Sequence, residues 1–161
     1  MKLTLFPIGT IETPFNDLKD IPIQPSGAAK VQGTIVIDKK YEQGLTDLKG
    51  FSHIILLYLF HQSKGYDLMV KPFLDDQKRG LFSTRAPRRP NPIGLSVVRL
   101  IKREGNRLTI EGIDVLNGTP LIDIKPYVPG FDTKEVTAIG WLESKQENAT
   151  ALKSDDRFIK T

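Results

Sequence analysis

Cysteine is absent from the 161 residues, so neither a disulfide framework nor thiolate chemistry is open to this chain. Histidine occurs only twice, at His53 and His61, and that spacing fits no zinc signature, which argues against a metal centre. Long apolar runs are missing too. The longest, Ile54 to Phe60, falls far short of a membrane span. The opening M-K-L-T-L-F-P meets Pro7 before an apolar signal core can form, and the expectation is a soluble, cytoplasmic protein with no membrane association. Neither G-x-G-x-x-G nor G-x-x-x-x-G-K-[ST] is present, which disfavours Rossmann and P-loop nucleotide sites. Internal repeats and low-complexity segments are lacking as well.

Proline and basic charge are present, and unevenly placed. The net charge is only +4, yet Lys71 to Arg103 holds nine basic residues against Asp75 and Asp76, a local net of +7 that leaves −3 for the remainder. Such concentration favours an anionic partner such as RNA. At its centre lies R-G-L-F-S-T-R-A-P-R-R-P-N-P-I-G-L-S-V-V-R-L, Arg79 to Leu100. Pro87, Pro90 and Pro92 fix φ and remove three backbone donors, so the connection is stiff and cannot be helical. It carries Arg85, Arg88, Arg89 and Asn91, guanidinium forks suited to planar recognition of a carboxylate, phosphate or base. A solvated basic turn between two strands is the plainer alternative.

Read in order, the chain predicts strands over Leu3–Ile11, Lys30–Asp38, Ser52–Phe60, Leu68–Phe73, Leu81–Arg85, Leu95–Lys102, Arg107–Val115, Leu121–Val128 and Val136–Trp141. A long loop from Phe15 to Ala29 contains the rigid Pro22-Ile23-Gln24-Pro25, and Tyr41 to Leu48 suits one or two helical turns closed by Gly50. Short strands at even spacing, with no alternating helices, argue for a mainly β protein, an antiparallel barrel or sandwich of about seven strands with short helices. Residues 1–142 form the expected barrel domain. Residues 143–161 are a C-terminal helix or tail rather than a separate domain.

Polar residues gather at Pro22 to Pro25, at His61-Gln62, at Arg85 to Leu95 and at Gly118 to Tyr127. In the last stretch Asp123 and Lys125 alternate with Ile122 and Ile124, so strand geometry puts the two charges on one face. A surface ion pair is the plain reading of that pair, and Tyr127 beyond it offers a ring able to stack on a base.

F-S-T-R-A-P-R-R-P-N-P-I-G-L-S, preceded by F-S-H-I-I-L-L-Y-L-F-H-Q and followed by G-T-P-L-I-D-I-K-P-Y-V-P, resembles the TsaA/TrmO family along nearly the whole chain to about Trp141. The resemblance implies a dimeric, β-barrel, non-Rossmann methyltransferase that uses S-adenosyl-L-methionine, with the cofactor near the subunit interface. Its implied reaction is N6-methylation of N6-threonylcarbamoyladenosine at position 37, in the anticodon loop of a tRNA. By the same motifs the cofactor site would comprise Pro22, Ile23, Gln24, His61, Gln62, Arg85, Leu95, Gly118, Thr119, Pro120 and Leu121. Arg85 would bind the donor's carboxylate, Asp123 would take the acceptor proton with Lys125 tuning its charge, and Tyr127 would stack on the target base. Arg88, Arg89 and Asn91 would hold RNA. Two departures bear on the RNA substrate: Ile23 stands where the family often has arginine, and longer members carry an additional C-terminal domain. A non-catalytic RNA-binding barrel, or the same enzyme with another substrate, are the alternatives.

Overall fold

A computed structural model describes residues 3–21, 28–73 and 75–143. Its eight strands are β1 (Gly9–Glu12), β2 (Gln32–Ile37), β3 (His53–Leu59), β4 (Met69–Val70), β5 (Arg79–Gly80), β6 (Ile93–Glu104), β7 (Arg107–Glu111) and β8 (Thr119–Pro126). Six of them pair antiparallel in the order β1-β2-β7-β6-β3-β8, and β8 returns to β1 to close a barrel. β4 and β5 form a separate two-stranded ribbon. The expected count of about seven therefore resolves into six barrel strands plus this ribbon.

Alternation along the strands explains the closure. Ile35 and Ile37 of β2, Ile54, Leu56 and Tyr58 of β3, Val98 of β6, Leu108 and Ile110 of β7 and Leu121 of β8 all point inward and are buried. Each such Ile or Leu contributes about 1.5–3 kcal/mol by leaving water. Two irregularities interrupt the ladder. Between β3 and β8 the register shifts, Leu57 facing Asp123 while Tyr58 faces Leu121, so Ile122 is the extra residue. Between β6 and β7 a second shift falls at Leu100/Lys102.

Two expected strands are absent. Leu81–Ser83 is a 3-10 turn, because Ser83 Oγ and Thr84 Oγ1 donate to the carbonyls of Gly80 and Leu81 and close the backbone locally. Val136–Trp141 is mostly exposed irregular chain ending in the 3-10 turn Gly140–Leu142, and the Trp141 indole N–H donates to Ser83 O at 2.9 Å instead of joining a sheet. The first strand is also shorter than expected, pairing only from Gly9. The 39–45 segment is a 3-10 helix, and a single turn of α-helix, α1 (Pro129–Asp132), follows β8. Among the described residues no helix is long and apolar enough to cross a membrane. The expected helix or tail at 143–161 lies outside the described residues except for Glu143.

Strand direction sorts the loops. β1, β3 and β7 finish, and β2, β6 and β8 begin, at one end of the barrel, here the upper end. It carries the three long connections, 13–31, 60–92 and 112–118. The lower end carries the 38–52 connection, the Gly105-Asn106 hairpin turn and the chain beyond β8.

Candidate functional site

The upper end gathers most of the residues singled out from the sequence. Loop 13–16 is tied to loop 112–118: Thr13 N donates to Asn117 Oδ1 at 3.1 Å, Thr13 Oγ1 to Val115 O at 2.8 Å, and Asn117 N to Phe15 O at 2.7 Å. Gly118 holds φ +79°, a conformation that favours glycine, and its N–H donates to Ile11 O. Thr119 is buried, with its hydroxyl on Leu116 O at 2.7 Å, Pro120 is half-buried, and the Leu121 side chain packs inside the barrel. Pro22, Ile23 and Gln24 lie outside the described residues.

The 60–92 connection supplies the rest. His61 and Gln62 are exposed in a tight turn immediately after β3, and Ser63 Oγ donates to Pro87 O at 3.1 Å, fastening that turn to the arginine loop. Arg88 points back into the protein. Its Nε donates to Lys64 O at 3.2 Å, it pairs with Asp67 at 3.3 Å, and its side chain is 17% exposed. Arg89 Nη1 donates to Thr84 O at 3.0 Å, Ala86 O at 3.3 Å and Leu81 O at 3.5 Å. Both cations thus staple the loop, while Arg85 and Asn91 are exposed.

Leu95 and Asp123 meet on the outer wall instead. Leu95 lies opposite Leu57, and Leu57 opposite Asp123, so the three sit in a row across β6, β3 and β8. Leu95 is 51% exposed. The Asp123 side chain is 40% exposed, pairs with Lys125 Nζ at 2.7 Å and accepts from Ile124 N at 2.9 Å. The bulge at Ile122 keeps both charges outward while Ile124 turns in against the core. An open cleft of about 550 Å³ beside the 39–45 segment is bordered by Lys40, Tyr41, Gln43 and Asp123. Tyr127 lies at the lower end, edge-on to His53 at 6.4 Å, with its hydroxyl 3.1 Å from Thr133 Oγ1. Eight residues of strand separate it from Thr119, roughly 25 Å, so Tyr127 and the Gly118–Leu121 segment do not meet within one chain.

A buried polar chain escaped the sequence reading. Ser96 Oγ donates to Asp114 Oδ1 at 2.8 Å and lies 3.0 Å from Tyr58 OH; with its one proton committed to Asp114, Ser96 accepts from the tyrosine. Burial pushes the Asp114 carboxyl up to about 6, against the opposing pull of Ser96, its own backbone N–H and the Arg85 charge. Burial likewise raises the Tyr58 hydroxyl well above the usual tyrosine range. Gly94 seats the ring, since a Cβ there would stand 2.5 Å from Tyr58 Cζ. Phe60 packs edge-on at 5.5 Å. The available signal was phase: Ser96 and Tyr58 occupy inward positions of otherwise aliphatic strands.

Comparison with known proteins follows the same residues. The family model described as the tRNA-methyltransferase O N-terminal domain matches residues 10–133. A probable S-adenosyl-L-methionine-binding protein of Pyrococcus abyssi is 51% identical over 95% of this chain and 83% of its own length. The human tRNA (adenine(37)-N6)-methyltransferase is 38% identical over 80% of this chain but 31% of its own length. A crystal structure of TrmO from Pseudomonas aeruginosa superposes with a TM-score of 0.73 at 40% identity, covering 88% of this chain and 63% of that one. The chain thus spans under two thirds of the solved protein and about a third of the human one.

Proposed function

The chain belongs to the tRNA-methyltransferase O family, and from that premise we propose that it methylates N6 of N6-threonylcarbamoyladenosine at position 37, in the anticodon loop of a tRNA, using S-adenosyl-L-methionine. The family's named members bind this donor or methylate adenine 37 of tRNA. One observation carries the reading: Leu95, Leu57 and Asp123 stand side by side on three adjacent strands, below a rim that bears His61, Gln62 and Arg85. Two strand spacings put Leu95 about 10 Å from Asp123, a span that one donor and one acceptor base can bridge.

The donor set fits the cofactor. An exposed guanidinium at the rim suits a carboxylate, an exposed leucine beside half-buried Leu57 suits an adenine face, and the backbone at Gly118 is open to close approach. Arg85 would take the carboxylate, with His61, Gln62, Leu95 and residues 118–121 along the remainder, while Pro22, Ile23 and Gln24 are assigned to the site by the sequence resemblance alone. When bound, S-adenosyl-L-methionine supplies an electrophilic methyl group. The protein's part is alignment and proton management. Asp123 accepts the proton from the acceptor nitrogen, and Lys125 at 2.7 Å steadies the carboxylate. Tyr127 lies four residues further along the chain, just past the end of β8 and about 13 Å away, and suits stacking on a neighbouring base of the anticodon loop. Arg88 and Arg89 serve RNA binding by fixing the loop that presents Arg85 and Asn91.

The outer wall also supports a homodimer. Ile93 and Leu95 are exposed there beside half-buried Leu57 and Leu59, and apolar surface of this kind is usually covered.

Nucleoside mass spectrometry of tRNA incubated with the protein and donor tests the reaction. A methylated threonylcarbamoyladenosine is expected, reduced at least a hundredfold by Asp123→Asn. Absence of any methylated adenosine with donor bound would overturn the substrate, and full turnover by Asp123→Asn would overturn the base.

A further inference from the structure

Within the 60–92 connection, Phe82 is 75% exposed. Single exposed apolar residues are common and need no purpose. What sets Phe82 apart is how firmly its turn is fixed. Leu81 N donates to Leu68 O at 2.9 Å, Thr84 N to Leu81 O at 3.0 Å, and Ser83 Oγ to Gly80 O at 2.8 Å. From the far end of the described chain, the Trp141 indole N–H donates to Ser83 O at 2.9 Å. Arg89, anchored on the carbonyls of Thr84 and Ala86, sets its guanidinium 5.7 Å from the centre of the Phe82 ring. The ring is therefore backed by a cation, held on a rigid turn and open to water over most of its surface.

The surroundings suit a polyanion. Residues 60–92 hold seven Lys and Arg against three Asp, a net of +4 that equals the net charge of the whole chain and leaves zero for the rest. Exposed Leu68 and Met69 lie alongside the turn, since Leu68 O receives Leu81 N and Met69 pairs with Gly80. An open aromatic face among fixed cations is how single-stranded nucleic acid is held: charge tracks the phosphates and the ring takes a base. Phe131 makes the contrast. It is as exposed as Phe82, but its turn, Pro129–Asp132, carries an acid and no cation.

We propose that Phe82 is the platform on which an unpaired base of the tRNA anticodon loop stacks, with the Leu81–Ser83 turn and Arg89 setting the position of the ring. The proposal rests on the reading that this chain modifies tRNA, and it concerns the RNA rather than the methyl donor. Because the turn is already ordered in the folded chain, stacking costs little further ordering on binding. A second copy of the chain could also cover an apolar ring. An isologous contact through this face would, however, set two basic connections against each other, whereas RNA neutralises the charge.

Titration of the whole chain into labelled tRNA at fixed salt, followed by fluorescence anisotropy, tests this. Phe82→Ala should bind about tenfold more weakly, the scale of one lost base–aromatic stack. Phe82→Leu keeps an apolar side chain without a π-face and should lose nearly as much, whereas Phe82→Trp should bind at least as tightly as the wild type. The slope of log affinity against log salt should stay the same in all three, because no phosphate contact is removed. Thermal scans, calorimetry with S-adenosyl-L-methionine and sedimentation should match the wild type, which a ring packed in the donor site or between subunits would not allow. Wild-type tRNA affinity in Phe82→Ala or Phe82→Leu would overturn the stacking assignment. A fall in donor affinity or a change in sedimentation would overturn it too, by placing the ring in the donor site or against a second copy. Failure of the unaltered chain to bind tRNA would instead overturn the reading that it modifies tRNA.

Discussion

At the scale of single residues, Asp114 ties the stability of the barrel to pH. Its carboxyl moves from the ordinary 3.8 to about 6 on folding, chiefly through burial. The folded chain therefore holds the proton more tightly than the unfolded one between these values, and stability is lost as pH rises through about 6. At pH 7.5 the buried charge costs on the order of 3 kcal/mol. Asp114→Asn should accordingly melt higher than the wild type at pH 7.5, and calorimetric scans from pH 4 to 7.5 should show the difference vanish at the acid end. A gap that does not shrink with acid would contradict this. Gly94→Ala makes the opposite case. A new Cβ meets Tyr58 and Phe60, 2.9 Å from Phe60 Cζ, and should destabilise the fold by about 2–3 kcal/mol in chemical denaturation. This polar chain was the part of the site hardest to read in advance. Ser96 lies eighteen residues from Asp114 and thirty-eight from Tyr58, and only the register of β3 on β6 reveals that they meet.

At the scale of elements, the arginine loop behaves as a constructed piece. Three prolines limit its backbone, while Arg88 and Arg89 donate into Lys64, Thr84 and Ala86 carbonyls. Arg89→Ala leaves the Thr84 and Ala86 carbonyls without a cation and should speed proteolysis of the 79–92 segment severalfold. The slope of log affinity against log salt for tRNA should change by much less than the ~0.9 expected of a lost phosphate contact. A full drop of that size would make Arg89 a direct phosphate ligand. The stiffness of this loop was evident from its prolines, but the inward aim of the arginines was not, because a backbone carbonyl leaves no mark in a sequence. The strands divide the same way. β2, β3 and β7 were legible as strands in the sequence, whereas the turn at Leu81–Ser83 went unseen because Ser83 and Thr84 reach back to local carbonyls. The outward pairing of Asp123 with Lys125 followed directly from strand geometry; the extra residue at Ile122 did not.

At the scale of the whole molecule, surface composition bears on assembly. Ile93 and Leu95 expose apolar area on the wall that also carries Asp123. Sedimentation should report a dimer, and Ile93→Arg should convert it to a monomer while the far-ultraviolet dichroism stays unchanged. Sedimentation of the unaltered chain as a monomer at micromolar concentration would end the dimer proposal.

A ring of strands has no first or last member. At the upper end β1 covers β8 from Thr119 to Leu121, so a visitor to that end of the barrel cannot dock by adding a strand between them and must be recognised through side chains and loop backbones. Substrate preference can then drift by rewriting the three long upper connections, while the six-stranded frame that spaces them stays as it is.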